Sequence, residues 1–415
     1  MNRLPSAQAF DVVIVGASLA GCTAARLFAL EGLSVALVER SAARDAYKRH
    51  CSHYIQASAR PVLRRLGLDK LLDDVGAIRN GMIIWTKHGW VEDVPLLDDA
   101  GEITYGYNVQ RKTLDPLLRE LAVATPGVIP FFGVSASKLV NDEGRIGGVW
   151  LADGRKLSGT LIVAADGRDS MLAKLAGLVP KLKANSRFDM NIVFGGIPSK
   201  GRVSSKMWFH GGAVTLAMPN DQDTFVVAHM DVQEKYADFR ADPVKLLVRT
   251  LANLPNGPDL SSAPVLRKPQ ITKRYDNLFR RPFISDMALV GDALMTLDPL
   301  FGLGCGFAFQ QAAWLVDSTV DALRRKMPIT HSLRRYAGTL GRNMRGHVFL
   351  NNDFSRRRNL NAIEHLMFAA AAKDRIMAQH VGSLGARLIG PMKFLAPSKL
   401  ARAVWICLTR RSAPS

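Results

Sequence analysis

Short apolar runs alternate with glycine-marked turns over the first part of the chain. Asp11 to Val15 (DVVIV) is β-branched and uninterrupted, the pattern of a short buried strand. A second run, SVALVE, closes at Glu39, and Leu19 to about Leu30 between them reads as a helix with Gly32 suited to its C-terminal cap. The same order returns in TLIVAADGRDSMLAKLAG, Thr160 to Gly177: strand, Asp166-Gly167, helix. It returns again in MALVGDALMTLDPLFGLGCGFAFQQAAWLVD, Met287 to Asp317: strand, Gly291-Asp292, a Pro/Gly-rich loop, then a long helix from Cys305 to about Arg325. Residues of about 80–105 and 187–270 alternate apolar and polar positions at strand spacing. Residues 331–415 read as mostly helical, broken at Gly390-Pro391 and Ala396-Pro397. There is no internal repeat and no low-complexity tract.

The stretch GASLAGC, Gly16 to Cys22, admits two readings. Leu19-Ala20-Gly21-Cys22 matches a lipoprotein cleavage box, but only Arg3 is basic before the apolar run, and that run continues past the supposed cut to Val38 through Arg26 and Glu31. The dinucleotide reading accounts for more residues. Gly16 turns the chain out of the strand, and Ser18 is small enough for a phosphate to approach. Gly21 lets the helix lie close to the strand, so that its N-terminal N–H groups and positive dipole end face a pyrophosphate. Glu39, 18 residues after Gly21, can accept the ribose hydroxyls, with Arg40 beside it. The lipoprotein match is therefore read as chance.

With the Asp166-Gly167 and Gly291-Asp292 stretches in this order, the chain resembles the flavoprotein superfamily of aromatic hydroxylases, flavin halogenases and geranylgeranyl reductases over roughly residues 10–325. The resemblance implies FAD as cofactor. Gly16, Ser18, Gly21, Glu39 and Arg40 would serve the ADP part, Asp166 and Gly167 the pyrophosphate neighbourhood, and Asp292 after Gly291 the ribityl chain. Arg111 would lie against the cofactor, and Pro299, Gly302 and Gly304 would bring backbone N–H groups and a helix N-terminus to the flavin ring. The implied fold is α/β. A Rossmann-like FAD-binding domain of p-hydroxybenzoate-hydroxylase type (residues 1–80, 106–186 and 271–330) is interleaved with a mixed β-sheet substrate domain (81–105 and 187–270). A basic helical C-terminal region (331–415) follows.

Within that superfamily the chain is atypical. Met295 replaces the histidine of the hydroxylase motif, and Val214 and Leu216, in VTLAMP, stand where halogenases carry two tryptophans. The expected activity is NAD(P)H-driven monooxygenation of a hydrophobic organic substrate, a specialised metabolite, quinone or lipid-like molecule. Reduced flavin and O2 would supply the electrophilic oxygen and the protein a dry, shaped pocket. The alternatives are a reductase of the geranylgeranyl type, a halogenase, and a basic flavin-binding protein that docks or senses without turnover. Substrate-side candidates are His50, His53, Tyr54 and His210, with Lys48 as the halogenase-type lysine, while Phe301, Phe307, Met207 and Trp208 could line an apolar pocket.

Charge sharpens the picture. The chain carries 55 Lys+Arg against 36 Asp+Glu, a formal +19 over 415 residues. From Asp317 onward 18 basic residues face 5 acidic ones, so most of the excess sits in the last quarter. The tail from Gly385 to Arg411 mixes basic residues with Leu, Ile, Phe and Trp405 in runs too short to span a bilayer. It could lie on an anionic membrane surface or meet an acidic carrier protein. Nucleic acid is not expected, because no aromatic stacking motif accompanies the charge. The four cysteines form neither a metal-ligand nor a disulfide pattern and fit a reducing cytoplasm, so no metal is expected and the location is cytoplasmic, with a possible peripheral membrane contact.

Overall fold

The computed structural model describes residues 8–197, 204–356 and 358–410. Its largest sheet is built on five parallel strands in the order Val128–Phe132, Val35–Glu39, Gln8–Val15, Lys156–Ala164 and Met287–Leu289. The antiparallel pair Ala136–Asp142 and Arg145–Leu151 continues the sheet beyond the first half of Lys156–Ala164. Register explains why distant motifs meet. Val15 pairs with both Val38 and Ala164, and Ala164 pairs with Leu289. The turns that follow these strands therefore emerge side by side at one end of the sheet, the carboxyl end where open α/β sheets bind ligands. Helices Leu19–Leu30 and Leu303–Arg324 cover one face, and Val12, Val13, Ile14, Leu27 and Phe28 are essentially without solvent contact. Each such side chain contributes about 1.5–3 kcal/mol by leaving water.

A second sheet of seven strands runs in the order Gln270–Thr272, Arg187–Phe194, Thr224–Val232, Ala213–Asn220, Ser205–His210, Met82–Thr86, Gly89–Val91. All neighbours are antiparallel except Ser205–His210 against Met82–Thr86. Residues 81–105 do not join it as a block, since Leu96–Leu97 and Ile103–Thr104 form a separate ribbon. Strand periodicity gives this sheet two distinct faces. Phe188, Met190, Ile192, Trp208 and Val227 point toward helices Tyr236–Ala241 and Pro243–Ala252. Met207, Val214, Leu216, Met218, Val226 and Met230 point the other way and share a core with Met367, Met377, Val381, Phe394 and Ile406 of the C-terminal helices.

The C-terminal helices are thus built into the cores: Leu333, Tyr336, Leu340 and Met344 pack with the parallel-sheet core, and the segments from Phe354 onward pack on the seven-stranded sheet. These helices are Thr330–Phe354, Ala362–Ala371, Arg375–Gly385, Pro391–Phe394 and Pro397–Thr409. Gly390 and Ala396 are the N-caps before the two prolines, because proline suits the first helical position and not the interior. Among the described residues no helix is long and apolar enough to cross a membrane.

Candidate functional site

A cavity of about 860 Å³ opens at the carboxyl end of the parallel sheet. It lies within the range of small-molecule and cofactor sites, about 300–1,000 Å³. Gly16, Ser18, Glu39, Arg40, Arg111, Asp166, Gly167, Gly291, Asp292, Pro299, Gly302 and Gly304 all line it. Gly21 does not. A Cβ there would stand 1.8 Å from the Gly16 carbonyl oxygen, so Gly21 serves the close passage of helix over turn. Gly16 has φ +107°, and a Cβ would sit 2.3 Å from the Ala165 carbonyl oxygen. Only glycine satisfies both the conformation and the gap. Gly167 and Gly304 by contrast face open space.

The polar groups of this cavity are tied to one another. Glu39 accepts from the backbone N–H groups of Ala17 (2.9 Å) and Ser41 (3.0 Å), which brings the two strand ends together. Ser18 is the N-cap of the first helix but makes no side-chain cap bond. Its Oγ instead accepts from Arg111 Nη2 at 2.8 Å. Arg111 is buried and bonds Asp115 through two nitrogens at 2.6 and 2.8 Å; burial opposes its charge, but Asp115 more than offsets this and holds the guanidinium protonated. Asp166 accepts from Leu172 N–H through Oδ2, while its buried Oδ1 has no partner in the protein. An orphaned acceptor facing a cavity fits a ligand that donates hydrogen bonds. Helix N-termini and the guanidinium groups of Arg40, Arg111, Arg119 and Arg168 in the same wall fit an anionic ligand. A dinucleotide carries both features.

Lys48 Nζ stands 2.5 Å from Asp292 Oδ2. Burial raises the Asp292 pKa, but the neighbouring Lys48 charge outweighs it and holds the carboxyl below the ordinary carboxylate value. Lys48, expected beside a substrate tunnel, is instead engaged in an ion pair in the wall of the first cavity. His50 also lines this cavity and pairs with Asp189 at 2.8 Å; burial works against its charge, yet the Asp189 contact raises its pKa. Neither pair was foreseen, since the partners are 244 and 139 positions apart in sequence.

A second cavity, about 280 Å³, lies between the seven-stranded sheet and the C-terminal helices. Met207, Phe209, Leu216, Phe301, Phe354 and Phe368 give it an apolar lining. It shares Ser52 and Gly302 with the first cavity, so the two adjoin at that point. Tyr54 belongs to the apolar cavity, and burial pushes its hydroxyl up to about 12. Gly302, at φ +61°, admits the Tyr54 ring, which would lie 2.6 Å from a Cβ there.

Two substrate-side expectations do not hold. His53 lines neither cavity. Its Nδ1 accepts from Arg111 N–H at 2.8 Å, its Nε2 lies 3.0 Å from Arg267 Nη2, and burial lowers its pKa to about 4. His210 sits on the wrong face of its strand: Met207 and Phe209 point into the apolar cavity, and the two-residue period turns Trp208 and His210 away. His210 Nε2 is within 2.9 Å of Thr215 Oγ1 instead, and Trp208 Nε1 donates to the Pro255 carbonyl. Phe301 and Met207 do line the apolar cavity, whereas Phe307 lines the first. Among the described residues no group of acidic, histidine or cysteine side chains could hold a metal ion.

Comparison with known proteins agrees with this geometry. Residues 9–326 match the family described as FAD binding domain. The chain belongs to this FAD binding domain family. Its fold is mixed α/β, as in solved proteins that share it. Digeranylgeranylglycerophospholipid reductase 2 of Methanopyrus kandleri is 32% identical over 177 residues, 42% of this chain and 41% of that protein. Protein FixC of Escherichia coli K12 is 30% identical over 188 residues, 43% of this chain and 41% of that protein. The chain thus matches less than half the length of these curated relatives. In fold it is similar to the flavin-dependent brominase Bmp2, with TM-score 0.75 and 15% identity over 96% of this chain and 98% of that one. It is also similar to PqsL of Pseudomonas aeruginosa, a probable FAD-dependent monooxygenase, with TM-score 0.67 and 19% identity over 90% and 99%.

Proposed function

We propose that this protein is an NAD(P)H-driven, FAD-dependent monooxygenase that hydroxylates or epoxidises a hydrophobic, lipid-like substrate. The observation that carries the reading is the adjoining of the two cavities at Ser52 and Gly302. When bound, FAD supplies redox and oxygen chemistry. The residues of the first cavity would hold it: the Gly16–Ser18 turn and the start of the first helix at the pyrophosphate, Glu39 at the adenosine ribose, and Asp292 with Lys48 at the ribityl chain. The backbone between Gly302 and Gly304 would meet the ring. The apolar cavity binds the substrate and excludes water. Transfer of an electrophilic oxygen to a double bond or ring needs no protein base; the histidine that lines the apolar cavity, His347, is held neutral by burial, which lowers its pKa to about 4.

Exposed Phe349 and Ile363 line this cavity, and exposed Met392 adjoins its lining residue Pro391. Val404, Trp405 and Leu408 are exposed on the last helix. With the basic C-terminal quarter they support uptake of substrate at an anionic membrane surface.

One of the relatives, the digeranylgeranylglycerophospholipid reductase, favours a second reading, reduction of a double bond in a geranylgeranyl-type substrate. One experiment separates the two. The FAD-loaded protein, with NADPH or NADH, is given geranylgeraniol under ¹⁸O2, and the product is read by mass. Gain of one labelled oxygen supports the first reading. Gain of two hydrogens without oxygen replaces it with the second.

A further inference from the structure

Cys51 and Cys305 are 254 positions apart in sequence, yet their Sγ atoms lie 3.6 Å apart in the wall of the cofactor cavity. We propose that these two thiols are a redox-active pair that closes to an intramolecular disulfide on reaction with a small-molecule disulfide. The proposal is independent of which reaction the flavin site performs.

Three features distinguish this pair from a chance approach. The Cys51 sulfur is surrounded by donors: the His53 backbone N–H at 3.2 Å, Arg111 Nη1 at 3.9 Å and the Cys305 thiol. Such surroundings favour the thiolate, the nucleophilic form. The Cys305 contact and the Arg111 charge hold the Cys51 thiol well below its ordinary value against the opposing effect of burial. The two residues also differ in their freedom to move. Cys305 sits in the first turn of the 22-residue helix Leu303–Arg324, while Cys51 lies in a segment outside helix and strand that ends at Tyr54. A disulfide needs the sulfurs at about 2.05 Å, so the closing movement of roughly 1.5 Å falls on the irregular segment. Finally, Cys51 is next to Ser52, where the first cavity opens into the second, so a disulfide reagent has an approach to the pair from the side away from the volume assigned to FAD.

The chemistry balances with a glutathione-type disulfide as oxidant. The Cys51 thiolate attacks one sulfur, forming a mixed disulfide and expelling one glutathione thiolate. Cys305 then attacks the Cys51 sulfur, the protein disulfide forms, and the second glutathione leaves as thiolate. The proton lost by Cys305 goes to the leaving thiolate. Two thiols are oxidised and one disulfide is reduced. The other cysteines serve as internal controls. Cys22 is buried in the core, and burial pushes its thiol up. Cys407 lies on the last helix with its Sγ toward the Leu366 carbonyl.

The test uses the full-length protein as purified, incubated with oxidised glutathione, quenched in acid, alkylated under denaturing conditions and mapped by mass. The expected result is a fall from four alkylatable thiols to two, with a cross-linked peptide pair containing Cys51 and Cys305. Added dithiothreitol should restore all four. Cys305→Ser should stop at a stable glutathione adduct on Cys51, with flavin content and circular dichroism confirming that the variant folds. Retention of four thiols by the wild type, or a cross-link through Cys22 or Cys407, would overturn the proposal. The wild-type map decides the matter even if the variant does not fold.

Discussion

The two cavities that meet at Ser52 and Gly302 are built by different means. The larger one is made by backbone: tight glycine turns, helix N-termini and a few charged side chains, all delivered to one edge by parallel register. The smaller one is made by side chains: one face of an antiparallel sheet and the helices of the last quarter of the chain. Backbone turns have little latitude, so the first cavity should respond sharply to small substitutions. The apolar cavity should tolerate change in its own shape without disturbing the first.

The steepest test of the contrast is Gly21→Ala. Its methyl group would overlap the Gly16 carbonyl oxygen, and the helix cannot withdraw without losing its packing. A loss of about 3 kcal/mol or more is expected, seen as a lower midpoint in denaturant and loss of flavin. An unchanged midpoint would break the account of the turn.

Next comes acid sensitivity through His53, which is neutral in the fold down to about pH 4. An unfolded histidine takes a proton below about 6.5. The unfolded chain therefore binds more protons in that window, and stability should fall as pH drops from 6.5 toward 4, by about 3 kcal/mol in total. His53→Gln should flatten that slope in unfolding measured at several pH values; an equal slope would place the sensitivity elsewhere.

Asp292→Ala removes a charged acceptor and leaves Lys48 unpaired. Flavin affinity should fall about 10- to 100-fold, the equivalent of roughly 1.5–3 kcal/mol for a charged hydrogen bond. Flavin content after gel filtration checks it, and normal content would remove Asp292 from the cofactor site. The smallest effect belongs to the outer surface. Met392→Ser with Trp405→Ser should reduce co-sedimentation with phosphatidylglycerol vesicles at low salt, and added salt should weaken it further. Sedimentation equal to wild type would remove the membrane contact.

The same contrast explains what could be read in the sequence. Gly16, Glu39, Asp166 and Asp292 were legible because each follows a recognisable strand, and local spacing dictates a turn or carboxylate at its end. The long helix was placed within two residues at its start, Leu303 against the expected Cys305. Of the apolar cavity only single members, Tyr54, Met207 and Phe301, were legible, not the way its wall is assembled. Its wall joins Leu216 and Phe209 to Phe354, Phe368 and Val381, partners more than a hundred positions apart, and no local pattern encodes that pairing. His210 illustrates the limit. Its residue type suggested chemistry, but which face of the strand it occupied depended on a register that only the folded sheet supplies. The Lys48–Asp292, His50–Asp189 and Cys51–Cys305 meetings are of the same long-range kind.

The central claim is that an apolar substrate cavity abuts the flavin. It is tested most directly by titrating the FAD-loaded protein with geranylgeraniol and recording the visible flavin difference spectrum, in the wild type and in Leu216→Trp. The account predicts a saturable perturbation of the flavin band in the wild type. Leu216→Trp, which fills the apolar cavity, should abolish it while retaining normal flavin content. Binding of geranylgeraniol by equilibrium dialysis with no change in the flavin spectrum, or an equal perturbation in the filled variant, would contradict it.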